Sequence, residues 1–255
     1  MLEVNKLIEE AGKAIKWISD YVEKTGAKGV VVGNSGGKDS ATVIAMATKA
    51  LGSDRVVTVV MPCNSISADL EDAELVANTF NVPLLKVDLS ETYADMEDTI
   101  NTALCDLKTE LNSEAKINVK PRLRMTTLYA IAQSLNYLVI GTGNLCETIV
   151  GYTTKWGDSA SDFNPIANFT VPEVLAIGKY LGVPDKIINK APNDGLGGKT
   201  DEEKMGVTYL QIEEYIETGR TRPDAMLKIE KLNQSSKHKR MQVPTYNFDR
   251  EKHLN

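Results

Sequence analysis

The stretch Gly29–Ala50, GVVVGNSGGKDSATVIAMATKA, constrains the fold most. Three consecutive valines, Val30–Val32, suit a buried pleated strand. A glycine- and serine-rich turn follows, and then Ala41–Ala50, apolar nearly all round, as a central helix is. A strand, a tight turn and a buried helix in that order are the unit of an α/β sheet. The turn, Gly33–Ser40, is also an anion cradle. Its glycines let backbone N–H groups converge on a phosphate, and the helix adds its positive end. Ser35 and Ser40 add hydroxyl donors.

The same alternation continues down the chain. Val4, Leu7, Ile8, Ala11, Ile15, Ile18 and Val22 recur at helical spacing. Arg55–Met61 reads as a second strand, Asp69–Phe80 as a helix, and Val82–Leu89 as a third strand. Ser90–Leu111 is polar and mostly helical. Pro121 suits the first turn of the next helix, and Leu138–Gly141 is a fourth strand. This pattern predicts an α/β fold: a Rossmann-like parallel sheet with helices on both faces. Ligands of such sheets bind at the carboxyl ends of strands, where Gly33 and Gly141 both fall. From about Cys146 the alternation stops. A polar loop over 151–165 precedes a helical C-terminal part, with helices at Val171–Leu181, Thr208–Thr218 and Pro223–Leu232. Lys190–Lys204 reads as a long turn-rich loop, mobile without ligand and closing over a reaction intermediate.

Composition narrows the function. At 255 residues and net charge −6, a nucleic-acid partner is disfavoured. Cys63, Cys105 and Cys146 have no metal-site spacing and read as ordinary thiols of a reducing cytoplasm. The N-terminal region is charged throughout, without the apolar segment of a secretory leader, and no apolar run approaches membrane-spanning length.

The kind of cradle decides the chemistry. A Walker A loop requires a first glycine where Val32 stands and a hydroxyl residue where Asp39 stands. A dinucleotide fingerprint requires glycines at other offsets. A carboxylate beside a polyphosphate needs a cation between them, so Asp39 reads as a Mg²⁺ ligand, or otherwise as a cap of the helix. Glu147, just beyond the fourth strand, shares that cation or is an exposed helix-start glutamate; spacing does not separate these. Lys38 touches a phosphate or points into solvent.

Ser35–Ser40 resembles the S-G-G-x-D-S signature of ATP pyrophosphatases, which cleave ATP between the α- and β-phosphates. Further along stand NVKPRLRM (Asn118–Met125), GTGN with Glu147, GYTTKWGD with Asp162, LGVP (Leu181–Pro184), TDEEKMGVTY (Thr200–Tyr209) and HKR (His238–Arg240). Together these make the chain similar to ammonia-dependent NAD⁺ synthetases, from about residue 5 onward. The resemblance implies one domain spanning 1–255, a cytoplasmic homodimer, and ATP, deamido-NAD⁺ and ammonia as substrates. It implies that Gly33, Asn34, Ser35, Gly36, Gly37, Lys38, Asp39, Ser40 and Thr142 bind ATP, and that Asp39 and Glu147 hold Mg²⁺. Arg122, Lys155, Asp162, His238 and Lys239 fall at positions that contact deamido-NAD⁺. Asp39, Asp158 and Lys155 fall at catalytic positions, Asp158 holding ammonium or taking its proton. Without the family spacing, Arg122 and Lys155 read as surface charges and Asp158 and Asp162 as turn formers.

Two positions depart from the family pattern. A lysine common in an L-[TN]-K segment is Val171 here, and a Ser or Thr after K-x-P is Asn193. Lys38 is a candidate to supply the missing charge. Two other functions fit the hexapeptide: a tRNA-modifying ATP pyrophosphatase and a non-catalytic nucleotide-binding module. The first typically adds catalytic or zinc cysteines, or a basic extension, none of which occurs here. The retained Asp39, Glu147, Lys155 and Asp158 count against the second.

Overall fold

The computed structural model describes residues 3–64, 67–190 and 200–246. Four parallel strands, β1 (Val30–Gly33), β2 (Val56–Val60), β3 (Leu84–Lys86) and β4 (Leu138–Val139), lie in the order β3-β2-β1-β4. Val30 pairs with Val56 on one side of β1 and with Leu138 on the other. Because side chains alternate along a strand, each valine of β1 serves a different layer. Val30 and Val32 join Val56 in a core with helices α1 (Val4–Thr25) and α2 (Lys38–Leu51). Val31 joins Val59 and Val139 in a second core with α4 (Ser90–Leu104) and α5 (Ser113–Leu135). Both faces of the sheet are therefore covered, as the unbroken valine run requires.

The remaining helices follow the sheet. α3 (Ser67–Thr79) packs on β2, and α7 (Val171–Tyr180) on α2. The short α6 (Leu145–Val150) leaves the end of β4. It shares a third apolar core with α7, α9 (Asp201–Met205), α10 (Tyr209–Thr218) and α11 (Pro223–Ser235), centred on Cys146, Val171, Tyr209, Ile212 and Ile229. α8 (Asp185–Ile188) links α7 to the end of the second described segment.

Three boundaries differ from the sequence pattern. α5 begins eight residues before Pro121, which lies inside the helix. Asn112, whose side chain accepts from Ala115 N–H at 2.8 Å, is the true start signal. The polar 151–165 segment extends the sheet edge at one point, where Phe163 bridges Ile140 in parallel. Asp201–Met205 is helical, with a capping box at Thr200 and Glu203. The rest of the expected lid, residues 191–199, lies outside the described residues. No helix among the described residues is long and apolar enough to cross a membrane.

Candidate active site

The turn after β1 is held rigid by its own side chains. Gly36 has φ +68°, and a Cβ on it would meet Asp69 O and Asp72 Cβ at 2.8 Å, so glycine is required twice over. Asn34 donates to Ala73 O at 2.9 Å and accepts from Gly36 N–H at 3.1 Å, tying the turn to α3. Ser35 and Ser40 share a hydrogen bond of 3.0 Å across the turn. Gly37 is the N-cap of α2, which removes the capping role for Asp39. The first N–H groups of α2 have no partner within the helix and face outward from its positive end.

This turn opens onto a cavity of about 350 Å³ at the carboxyl ends of the strands. Gly33, Asn34, Ser35, Gly37, Lys38, Asp39 and Ser40 line it, together with Thr142, Glu147 and Asp158. Glu147 is a helix-start glutamate, half-buried rather than exposed. It belongs to the capping box that starts α6, accepting from Asn144 N–H at 3.0 Å, and it lines the cavity. Asn144 also donates its amide to Asp39 Oδ1 at 3.2 Å, so one residue orients both carboxylates. Burial and the neighbouring Asp39 charge raise the Glu147 carboxyl above its ordinary range. Two carboxylates held together in this way fit a hard dication, whose remaining positions phosphate oxygens and water would fill.

Lys38 does not point into solvent. Its side chain is 8% exposed, and Nζ lies 2.9 Å from Asp39 Oδ2 and 5.5 Å from the centroid of the Tyr209 ring. Burial opposes the charge, but Asp39, Glu147 and Asp201 outweigh it and hold the ammonium above the ordinary lysine range. Asp158 accepts from Thr154 N–H at 2.7 Å. It keeps an open face, yet it sits in a concave wall, and desolvation there raises its carboxyl.

Residues 10–244 match the family model described as NAD synthase. The chain belongs to the NAD synthase family. A relative from Carboxydothermus hydrogenoformans, an NH₃-dependent NAD⁺ synthetase, is 42% identical over 233 residues, 91% of this chain and 94% of that one. One of the same description from Thermococcus sibiricus is 43% identical over 205 residues, covering 80% of this chain and 78% of that one. Among solved structures, an NMN synthetase from Francisella tularensis superposes with a TM-score of 0.86 at 35% identity, over 95% of this chain and 99% of that one. An NH₃-dependent NAD synthetase from Campylobacter jejuni gives 0.76 at 26%, over 97% and 100%.

The other family positions surround the cavity without lining it. The Arg122 guanidinium donates to Lys155 O at 3.3 Å through both Nε and Nη2. Lys155 Nζ lies 5.3 Å from the Trp156 ring centroid. Asp162 accepts from Val139 N–H at 2.7 Å and from Tyr129 OH at 3.4 Å, fastening the 151–165 segment to β4. His238 is exposed. Lys239 donates to Gly151 O at 2.8 Å and Thr153 O at 2.6 Å, beside a smaller cavity of about 160 Å³ that shares Gly143 and Asp158 with the first.

Sequence reading missed Arg124, Lys190 and Asp201, which line the main cavity. Arg124 was legible. Pro121, Arg124, Met125 and Leu128 form one stripe at helical spacing facing the cavity, and Arg122 lies about 100° away from Pro121. Lys190 and Asp201 flank residues 191–199; they fall in the K-x-P and TDEEKMGVTY segments, which by themselves assign neither a role.

Proposed function

We propose that this chain amidates the carboxylate of a nicotinate-containing nucleotide, using ATP and ammonia, within one domain. A free carboxylate resists ammonia because its charge repels nucleophiles and it lacks a leaving group. In the first step a carboxylate oxygen attacks the α-phosphorus of ATP, the bond to the β-phosphate oxygen breaks, and pyrophosphate departs. In the second, ammonia attacks the carbonyl carbon of the acyl adenylate, the bond to the AMP oxygen breaks, and the new amide nitrogen releases one proton to solvent.

The observation that carries this reading is the shared cavity of the Gly33–Ser40 turn, Asp39, Glu147 and Asp158. The turn and the start of α2 present N–H groups to the phosphates, stabilising charge as pyrophosphate leaves. Asp39 and Glu147 would hold Mg²⁺, which supplies charge neutralisation of the polyphosphate. Asp158 takes a proton from ammonium, whose lone pair is otherwise blocked. Lys155 and Arg122, at the cavity's rim, contact the acid substrate, with Asp162, His238 and Lys239 further out.

Deamido-NAD⁺ is the substrate that the NAD⁺ synthetase relatives support. The likeness to an NMN synthetase favours a second reading, in which the acid is nicotinate mononucleotide. One assay tests both: protein, Mg-ATP and ammonium with each acid separately. Equal amounts of AMP, pyrophosphate and amide are expected, and the larger kcat/KM names the substrate. Nucleotide binding without turnover of either acid, or turnover only with tRNA, overturns the proposal. The same reading includes a cytoplasmic homodimer, which sedimentation at micromolar concentration tests.

A further inference from the structure

The Lys38 ammonium is bonded to one of the two carboxylates proposed to hold metal in the cavity. It bonds Asp39 Oδ2 at 2.9 Å, and Asp39 Oδ1 is taken by Asn144 Nδ2 at 3.2 Å. Three carboxylates act on it: Asp39 from α2, Glu147 from α6 and Asp201 from α9. Asp201 is itself fixed by Tyr152 OH at 3.2 Å and Tyr209 OH at 3.4 Å. A dication held by Asp39 and Glu147 would repel the ammonium now bonded to the Asp39 carboxylate. The two cations therefore compete for one donor set. Lysine has a flexible four-carbon stem, and its root at the first residue of α2 lies beside Gly37 and Ser40, on the wall that would receive phosphate. An incoming polyphosphate gives the ammonium a new partner and frees the carboxylates.

We infer that Lys38 is a resident counter-ion that keeps metal out of the Asp39–Glu147 pair until a nucleotide arrives, so metal and nucleotide load together. This rests on the reading of Asp39 and Glu147 as metal ligands. Lys38 acts as a positioning residue, and its role is visible in binding without turnover.

The test follows Mn²⁺ binding to the full chain by electron paramagnetic resonance, with and without α,β-methylene-ATP. Wild type is expected to bind Mn²⁺ at least about 10-fold tighter with the analogue. Lys38→Met is expected to bind Mn²⁺ without nucleotide at least about 10-fold tighter than wild type does, and to bind the metal-free analogue more weakly. Lys38→Arg, which keeps the charge, should preserve the nucleotide dependence. Equal wild-type affinity with and without the analogue overturns the gate, and this comparison needs no variant to fold. Unchanged nucleotide-free affinity in a folded Lys38→Met also overturns it. The metal reading is scored separately: it fails if Asp39→Asn binds Mn²⁺ with the analogue as tightly as wild type, whatever Lys38 does.

Discussion

Asp39 and Gly36 illustrate two ways in which one residue governs the site. Asp39 carries charge to the cavity. Replacing it by Asn keeps the shape and the Asn144 contact but removes that charge. Turnover should fall by more than about 100-fold, since even outer-shell partners of a metal ligand cost about that much. Circular dichroism should be unchanged; normal activity would remove the proposed metal role. Gly36 carries backbone. Gly36→Ala combines a positive φ with contacts of 2.8 Å to Asp69 O and Asp72 Cβ. It should destabilise the fold by about 1–3 kcal/mol in urea unfolding and raise the KM for ATP. Both residues were legible because the turn is local: the eight adjacent letters of Gly33–Ser40 specify strand end, glycine and helix start. Lys38 was not. Its direction depends on Asp39, Glu147 and Asp201, the last two more than one hundred residues away, and no local pattern encodes that.

At the scale of elements, α3 is paired with α8 and the residues just after it, beside the turn. Asp72 on α3 is 4% exposed and pairs with Lys186 and Lys190 at 2.6 Å each, while Lys190 also reaches Asp69 at 3.0 Å. Burial pushes the Asp72 carboxyl up, but Lys186 and Lys190 prevail and hold it below the ordinary carboxylate range. A carboxyl whose folded-state pKa is depressed stabilises the fold above its unfolded pKa, about 3.9. That contribution is lost as pH falls through the folded value. Asp72→Asn should therefore lower stability by about 1–3 kcal/mol at pH 7, a range reduced because both lysines are partly exposed. The difference from wild type should shrink as pH falls below about 4. Urea denaturation at pH 7 and at acid pH measures this. A constant difference across pH would assign the effect to packing alone. The elements themselves were mostly legible, because apolar runs and spacing fix strand or helix. α5 was misjudged at its start, because Pro121 was assigned the start signal that Asn112 provides.

Across the whole molecule, the C-terminal tail reaches back to the end of α6 and the segment after it. Lys239 Nζ binds Gly151 O and Thr153 O, and Arg240 binds Thr148 O at 2.8 Å. These bonds hold the segment that carries Asp158 and Lys155. Lys239→Ala should reduce kcat by about 10- to 100-fold through misplacement of Asp158, with little change in the KM for ATP. Hydrogen exchange over 151–158 should speed up. Unchanged exchange with lowered kcat would instead make Lys239 a direct substrate contact.

By itself, the sequence determined the α/β sheet, the anion-binding turn and the likeness to one family, because each rests on adjacent residues or on regular spacing. Only the tertiary structure decided that Asp39 and Glu147 both bond Asn144, that Lys38 turns inward onto Asp39, and that Arg124, not Arg122, faces the cavity. Those outcomes depend on packing α2, α5, α6 and α9 around one hollow. The electrostatics of a hollow are set by groups far apart in the chain, which local sequence cannot express.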